Sequence, residues 1–295
     1  RPTHASEATW DPATAPSGAV LFNRMSPSAW TRGDAATVFA TADVLARAEA
    51  AGIHVVNGSH AWAVEISKAR QLGLLARAGV HAPRSRVVHD GPTALAAARH
   101  LTFPIVSKPN VGGSGAGVTP FDTLRDLEAA VDDGRLDLGL TGVGLLQERF
   151  QSEDGAIHRV EVLGGRVLYG IRVHAPEDEF NLCPADACQT ADGAELARGA
   201  CAVDAADQGL KVEAFEPSAH VIAEVERIAH LAQIDVGGIE YVIDADSGVR
   251  LYYDVNALSN FVADGPRVIG FDPFERLVDW LQETGLPAAS HGGGR

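Results

Sequence analysis

An apolar run from Phe103 ends on Lys108 and Pro109 and opens into a loop with glycines at 112, 113, 115 and 117. A lysine at a strand end, followed by nearly bare backbone, suits a phosphate. Glycines let main-chain N–H groups approach an oxyanion closely, and the ammonium adds a point charge. The order of these parts excludes two common nucleotide loops. A Walker A loop carries its lysine after the last glycine, but Val118 follows Gly117 here. A dinucleotide fingerprint begun at Gly113 and Gly115 would need a third glycine where Val118 stands. A flexible hairpin would use the same glycines, so the loop gains meaning only from the rest of the chain.

Upstream, residues 1–18 lack periodicity and an initiator methionine, and read as a connector. Ala19–Asn23 predicts a buried strand, Asp34 caps a helix running to Ala50 with Gly52 as its stop, and Ile53–Asn57 predicts a second strand. This is the strand–helix–strand unit of an open α/β sheet. Glu65–Ala78 predicts one helix, with Ile66, Leu72 and Leu75 at core spacing. Lys68 falls in its first turn, where it opposes the helix dipole. An anion between Lys68 and the glycine loop would remove that misfit; a solvated lysine is the plainer reading.

Downstream, Ser85–His89 predicts a strand, and Thr93–His100 and Thr123–Val131 predict helices. Leu145–Gln147 is a short apolar strand followed by Glu148, Arg149 and Phe150. Two alternating strands that carry Arg159 and Arg172 meet at Gly164-Gly165, a hairpin signal. Phe180–Lys211 predicts a long surface excursion. Pro217 opens a helix to Ala232, a last helix lies within Arg267–Glu283, and the tail is expected to be disordered.

The second chemical constellation is the hairpin of Ile239–Ile243 and Val249–Val255 about the turn Asp244–Gly248. It sets Glu240 opposite or diagonal to Asp254, about 5–8 Å apart. Asn256 shares the Asp254 face, while Leu251, Tyr253 and Val255 take the other. Two carboxylates and an amide form a hard-oxygen site suited to Mg²⁺. A solvated acidic face is the alternative in so acidic a chain.

The net charge of −15 argues against a nucleic-acid partner. No apolar run approaches the ~18 residues of a membrane helix, and no cleavable signal is visible, so a cytoplasmic location is expected. Cys183, Cys188 and Cys201 are too few, and too odd in number, for a disulfide framework.

The ordered set Lys68, Lys108–Gly117, Gln147–Phe150, Arg159, Arg172 and Glu240/Asp254/Asn256 resembles the RimK-type branch of the ATP-grasp superfamily, over roughly Leu21–Gly270. The resemblance implies α/β and α+β architecture. Two α+β lobes (67–144 and 145–286) would clamp ATP behind a short α/β domain (1–66), ahead of a tail (287–295). Family members generally carry a fuller first domain, so part of it is expected to be missing.

By the same resemblance, Lys68, Lys108, Gly112, Gly113, Ser114, Gly115, Gly117, Gln147, Glu148, Arg149 and Phe150 would bind ATP. Lys108, Arg159 and Arg172 would act in catalysis, with Arg172 steadying the transferred phosphate. Glu240, Asp254 and Asn256 would hold one or two Mg²⁺ ions, with Mn²⁺ as a substitute. Asn23, Arg24, Ser28, Asn260 and Arg267 would face the substrates. The expected activity is carboxylate–amine ligation of amino acids or short peptides through an acyl phosphate, in a homodimer or homotetramer. A kinase and a non-catalytic ATP-binding module are the alternatives. The chain departs from the family pattern at Asp254, where Glu is usual, and at Ala257–Phe261, where a Pro-Gly turn often follows the Asn. His158 stands where an acidic residue commonly precedes the arginine.

Overall fold

The computed structural model describes residues 11, 14–16, 18–112, 117–174, 211–259 and 261–285. β1 (Val20–Phe22) and β2 (His54–Val56) pair in parallel around α1 (Ala35–Ala50), as the strand–helix–strand pattern requires. A 3₁₀ turn, Pro27–Arg32, precedes α1 and is capped by Ser26.

The single helix expected over Glu65–Ala78 is two helices, α2 (Ser59–Glu65) and α3 (Lys68–Arg77). Ser67 breaks them: its backbone is extended and its hydroxyl accepts from the Arg70 N–H, the ordinary N-cap arrangement. Lys68 therefore opens α3, and its own N–H donates to the Asn110 carbonyl.

β3 (Ser85–Val88), α4 (Gly91–Ala98), β4 (Ile105–Pro109), β5 (Thr119–Phe121), α5 (Leu124–Asp132) and β6 (Gly144–Glu148) form one unit. Its antiparallel sheet has the order β3-β6-β4-β5. α4 begins before Thr93 because Asp90 is its cap, in a reciprocal capping box. Both helices cover one sheet face through Val88, Ile105, Phe121, Leu127 and Leu146. The other face carries Val106, Lys108, Leu145 and Gln147, since side chains alternate along β4 and β6.

β7 (Ala156–Leu163), β8 (Arg166–His174), β9 (Lys211–Phe215), β10 (Val236–Ile243) and β11 (Arg250–Asn256) make an antiparallel sheet of order β11-β10-β7-β8-β9. The strand β9 was not anticipated; the rest of the expected excursion, with all three cysteines, lies outside the described residues, as does the tail. α6 (Ala219–Ala232), α7 (Gly265–Val268) and α8 (Pro273–Gly285) complete the chain. α2, α3 and α6 bury one sheet face on Val160, Ile239, Tyr241, Tyr252 and Val255.

Two β-bulges decide which side chains share the other face. A regular two-residue turn at Gly164-Gly165 would put Arg172 on the face of Arg159. An irregularity at Glu161/Val162 shifts the register instead, so that Arg159 pairs with Ile171 and His158 with Arg172. In β11 the shift falls between Glu240 and Tyr241: Tyr241 pairs with Tyr252, yet Glu240 pairs with Asp254. Each extra residue reverses the side-chain parity beyond it.

Asn57 ties the first unit to this sheet. It is fully buried with φ of 53°, and its amide donates at 2.7 Å to the carbonyls of both Val236 and Ala257. Its Oδ1 accepts from the N–H groups of Asp235 and Val236.

Candidate active site

Lys68, Gln71, Leu75, Lys108, Gln147 and Tyr253 line a pocket between α3, the β4–β6 sheet and β11. Asn110 joins two of its walls: its side chain accepts from the Ala69 N–H (2.9 Å) and the Ser67 hydroxyl (3.2 Å). The first turn of α3 is thereby fixed to the start of the glycine loop. Gly112 and Gly117 are described; Gly113, Ser114 and Gly115 lie outside the described residues. Gly117 must be glycine on two counts. Its φ is 73°, and a Cβ there would meet Pro109 Cγ at 2.6 Å.

Beside this pocket Glu240 and Asp254 are cross-strand partners, with Asn256 two residues on, opposite Gly238. Lys68 forms an ion pair with Asp254. Arg159, 1% exposed, spans two carboxylates, from Nε to Glu161 at 2.6 Å and from Nη1 to Glu240 at 2.7 Å. Its Nη2 is buried without a hydrogen bond. The Tyr253 hydroxyl donates to Glu240 Oε2 at 3.0 Å, and its ring lies 5.7 Å from Lys108 Nζ and 5.3 Å from the Phe150 ring.

These charges interact strongly. Burial works to raise the Asp254 pKa, but Lys68, Lys108 and Arg159 together outweigh it and hold the carboxyl below its ordinary value. Burial likewise opposes charge on Lys68, and Asp254, Glu65 and Glu240 more than offset it, leaving that ammonium with a raised pKa. Lys108 has weaker compensation: burial and then the neighbouring Lys68 push it down to about 8. Glu65 stands behind the pair, accepting from the Ala257 N–H, and burial raises its pKa to about 7.

The donor set fits Mg²⁺. Two carboxylate side chains in register and an asparagine amide supply hard oxygens, and a small cation takes the rest of its shell from water and phosphate. Among the described residues no group of three or more His, Cys, Asp or Glu side chains could hold a metal, so Asn256 and non-protein oxygens would have to complete the shell.

Several expected site residues stand elsewhere. Arg172 is on the opposite sheet face, over the Phe215 ring at 5.6 Å and paired in register with His158, so it cannot reach the Glu240–Asp254 face. Glu148 points away from the pocket, because it alternates with Gln147; it binds the Thr102 N–H at 2.7 Å and Arg84 at 3.0 Å. Arg149 reaches Asp122. Tyr253 is the reverse case: expected opposite Asp254, it reaches Glu240 with its hydroxyl. Asn23 and Ser28 are buried in local hydrogen bonds, to Asn57 and Met25 and to Ser26 and Arg32 respectively. Arg24 stacks on Phe22, and Arg267 is exposed and paired with Asp264. Asn260 lies outside the described residues. Sequence reading missed Glu65, Asn110 and Tyr253; the Asn immediately after the Lys108 strand was the one visible signal.

The chain is similar to known ligases over most of its length. The chain is 28% identical over 252 residues to the ribosomal protein bS6–L-glutamate ligase of Shigella boydii, covering 85% of this chain and 74% of the relative. Its fold matches the RimK domain ATP-grasp protein of Sphaerobacter thermophilus with a TM-score of 0.60 at 16% identity, over 94% of this chain and 87% of the other. In sequence and fold the chain is similar to ATP-grasp proteins of the RimK type. Another ATP-grasp ligase, PsnB, solved with a phosphomimetic precursor variant, Mg and ADP, matches with a TM-score of 0.62 at 24% identity, over 90% of this chain and 79% of that one. No family model matches the sequence. No helix among the described residues is long and apolar enough to cross a membrane.

Proposed function

We propose that this protein joins a carboxylate to an amine on amino-acid or peptide substrates, consuming ATP. The observation that carries this is a pocket lined by Lys68 and Lys108 beside the in-register pair Glu240 and Asp254, which Lys68 and Tyr253 contact directly. The relatives' names, an L-glutamate ligase of ribosomal protein bS6 and an ATP-grasp ligase solved in complex with a precursor peptide, support the substrate class.

The carboxylate oxygen takes the terminal phosphoryl group, giving an acyl phosphate and ADP. The amine nitrogen then attacks the acyl carbon, the C–O bond to phosphate breaks, and the nitrogen loses a proton. Such transfers need positioning and charge neutralisation more than covalent help. Lys68 and Lys108 would hold phosphate oxygens, and Arg159 has Nη2 as its uncommitted donor for the transferring group. Phe150 and Tyr253 would give the base an apolar wall. Glu240, Asp254 and Asn256 would hold Mg²⁺, which supplies charge neutralisation when bound.

The test is ADP release with Mg²⁺-ATP over a panel of amino acids and dipeptides, with mass spectrometry of the products. A condensed product lighter by one water confirms ligation. A phosphorylated acceptor instead would overturn it in favour of a kinase.

A further inference from the structure

Tyr253 has no part in the reaction just described beyond its ring, yet its hydroxyl is committed to one oxygen of a metal-ligand candidate. We propose that Tyr253 is a positioning residue for the divalent cation: its hydroxyl and Arg159 together fix the Glu240 carboxylate in the orientation the cation needs. This rests on the ATP-dependent reading of the same pocket.

The geometry is specific. Glu240 Oε1 accepts from Arg159 Nη1 at 2.7 Å, and Oε2 accepts from the Tyr253 hydroxyl at 3.0 Å. Each oxygen is thus held by one donor and keeps lone-pair capacity for a cation. Neither donor is free to wander. Arg159 is 1% exposed and anchored at Nε by Glu161. The Tyr253 ring is held between Phe150 and Lys108. The bulge is what lets Tyr253 and Asp254 serve Glu240 together: Tyr253 is the unpaired residue of β11, sitting between Tyr252 and Asp254, which do have partners on β10. Without the bulge, Glu240 would face Tyr253 across the ladder and Asp254 would leave the site. The extra residue therefore adds the second carboxylate to the face of the first while leaving the Tyr253 hydroxyl within reach of it. Outer hydrogen bonds of this kind govern ligand orientation, and their loss costs roughly 10–100-fold in metal affinity.

The test is Tyr253→Phe in the full chain, which keeps the ring and removes the hydroxyl. Mn²⁺ binding is followed by electron paramagnetic resonance in the presence of ADP, and ADP binding is measured separately in EDTA. The expected result is metal affinity about tenfold weaker, with ADP affinity in EDTA and melting temperature unchanged. In a Glu240→Gln background the same substitution should have no further effect on metal affinity, which guards against a general loss of structure. Unchanged metal affinity in Tyr253→Phe, with the wild type binding Mn²⁺, overturns this proposal alone. A wild-type chain that binds no Mn²⁺ with ADP overturns the metal reading of the pocket, and this proposal with it.

Discussion

Glu240 and Asp254 face each other across β10 and β11 only because β11 holds one residue more than its partner. A regular hairpin about the same turn would set Glu240 against Tyr253 and send Asp254 into the core. The bulge is therefore a condition of the site. Asp254→Asn keeps the side-chain shape and removes its charge. Magnesium activation should weaken, and Lys68 should lose its partner. Both side chains are about a fifth to a quarter exposed, so the stability loss should be about 1–3 kcal/mol, below that of a dry pair. An unchanged magnesium titration would remove Asp254 from the metal site.

Lys108 titrates near pH 8 because it is buried beside Lys68. A bound phosphate favours its protonated form, so ATP affinity should fall as pH rises through 8. Calorimetry at pH 8 in buffers of different ionisation enthalpy should show proton uptake on ATP binding, abolished in Lys108→Met. Turnover in that variant should drop by about 10²–10³, the scale for losing one preorganised donor.

Glu65 gives the opposite kind of signature. Its folded pKa of about 7 lies above the ordinary carboxyl value, chiefly through burial. The folded state then binds the extra proton between the two values. Its contribution to stability is full below about pH 4.5 and is lost as pH rises through 7. Denaturation curves for wild type minus Glu65→Gln should show this difference, on the order of 3 kcal/mol, with little change above pH 8. A difference independent of pH would mean that folding leaves the Glu65 pKa at its unfolded value.

Asn57 offers a test of how the first unit is held. Asn57→Ala would strand the Val236 and Ala257 carbonyls and the N–H groups of Asp235 and Val236, all currently served by one buried amide. At about 1–3 kcal/mol for each group left unsatisfied, partly relieved by water, a loss of about 3–5 kcal/mol is expected by urea denaturation. Asn57→Asp should also destabilise, since a carboxylate cannot donate to the two carbonyls.

Most elements were legible because local signals agree with the fold: Asp34 starts a helix, Gly164-Gly165 turns a hairpin, and Thr123 caps α5. The lysines and the carboxylate pair were legible as an ordered set. Parity was not. The bulge in β8 carries Arg172 away and the bulge in β11 puts Asp254 on the same face as Tyr253, and neither has a glycine or proline to mark it. Glu148 was misplaced although its strand was found, because alternation assigns faces only once one residue's face is known. The break at Ser67 was hidden by apolar residues in helical spacing on both sides, and Asn110 reads as an ordinary loop residue until its partners on α3 are seen.

The ion pair of Lys68 with Asp254 has a thermodynamic consequence. Each partner is the ordinary complement of a different ligand: the ammonium of a phosphate, the carboxylate of a cation. With neither ligand present they neutralise one another, and whichever ligand arrives first must displace the partner its successor needs. The two bindings are therefore heterotropically linked, and reciprocity requires the nucleotide to tighten the cation by the same factor that the cation tightens the nucleotide. Such couplings typically span about 1–3 kcal/mol, so nucleotide affinity measured in EDTA would understate the affinity at saturating metal by roughly 5–150-fold.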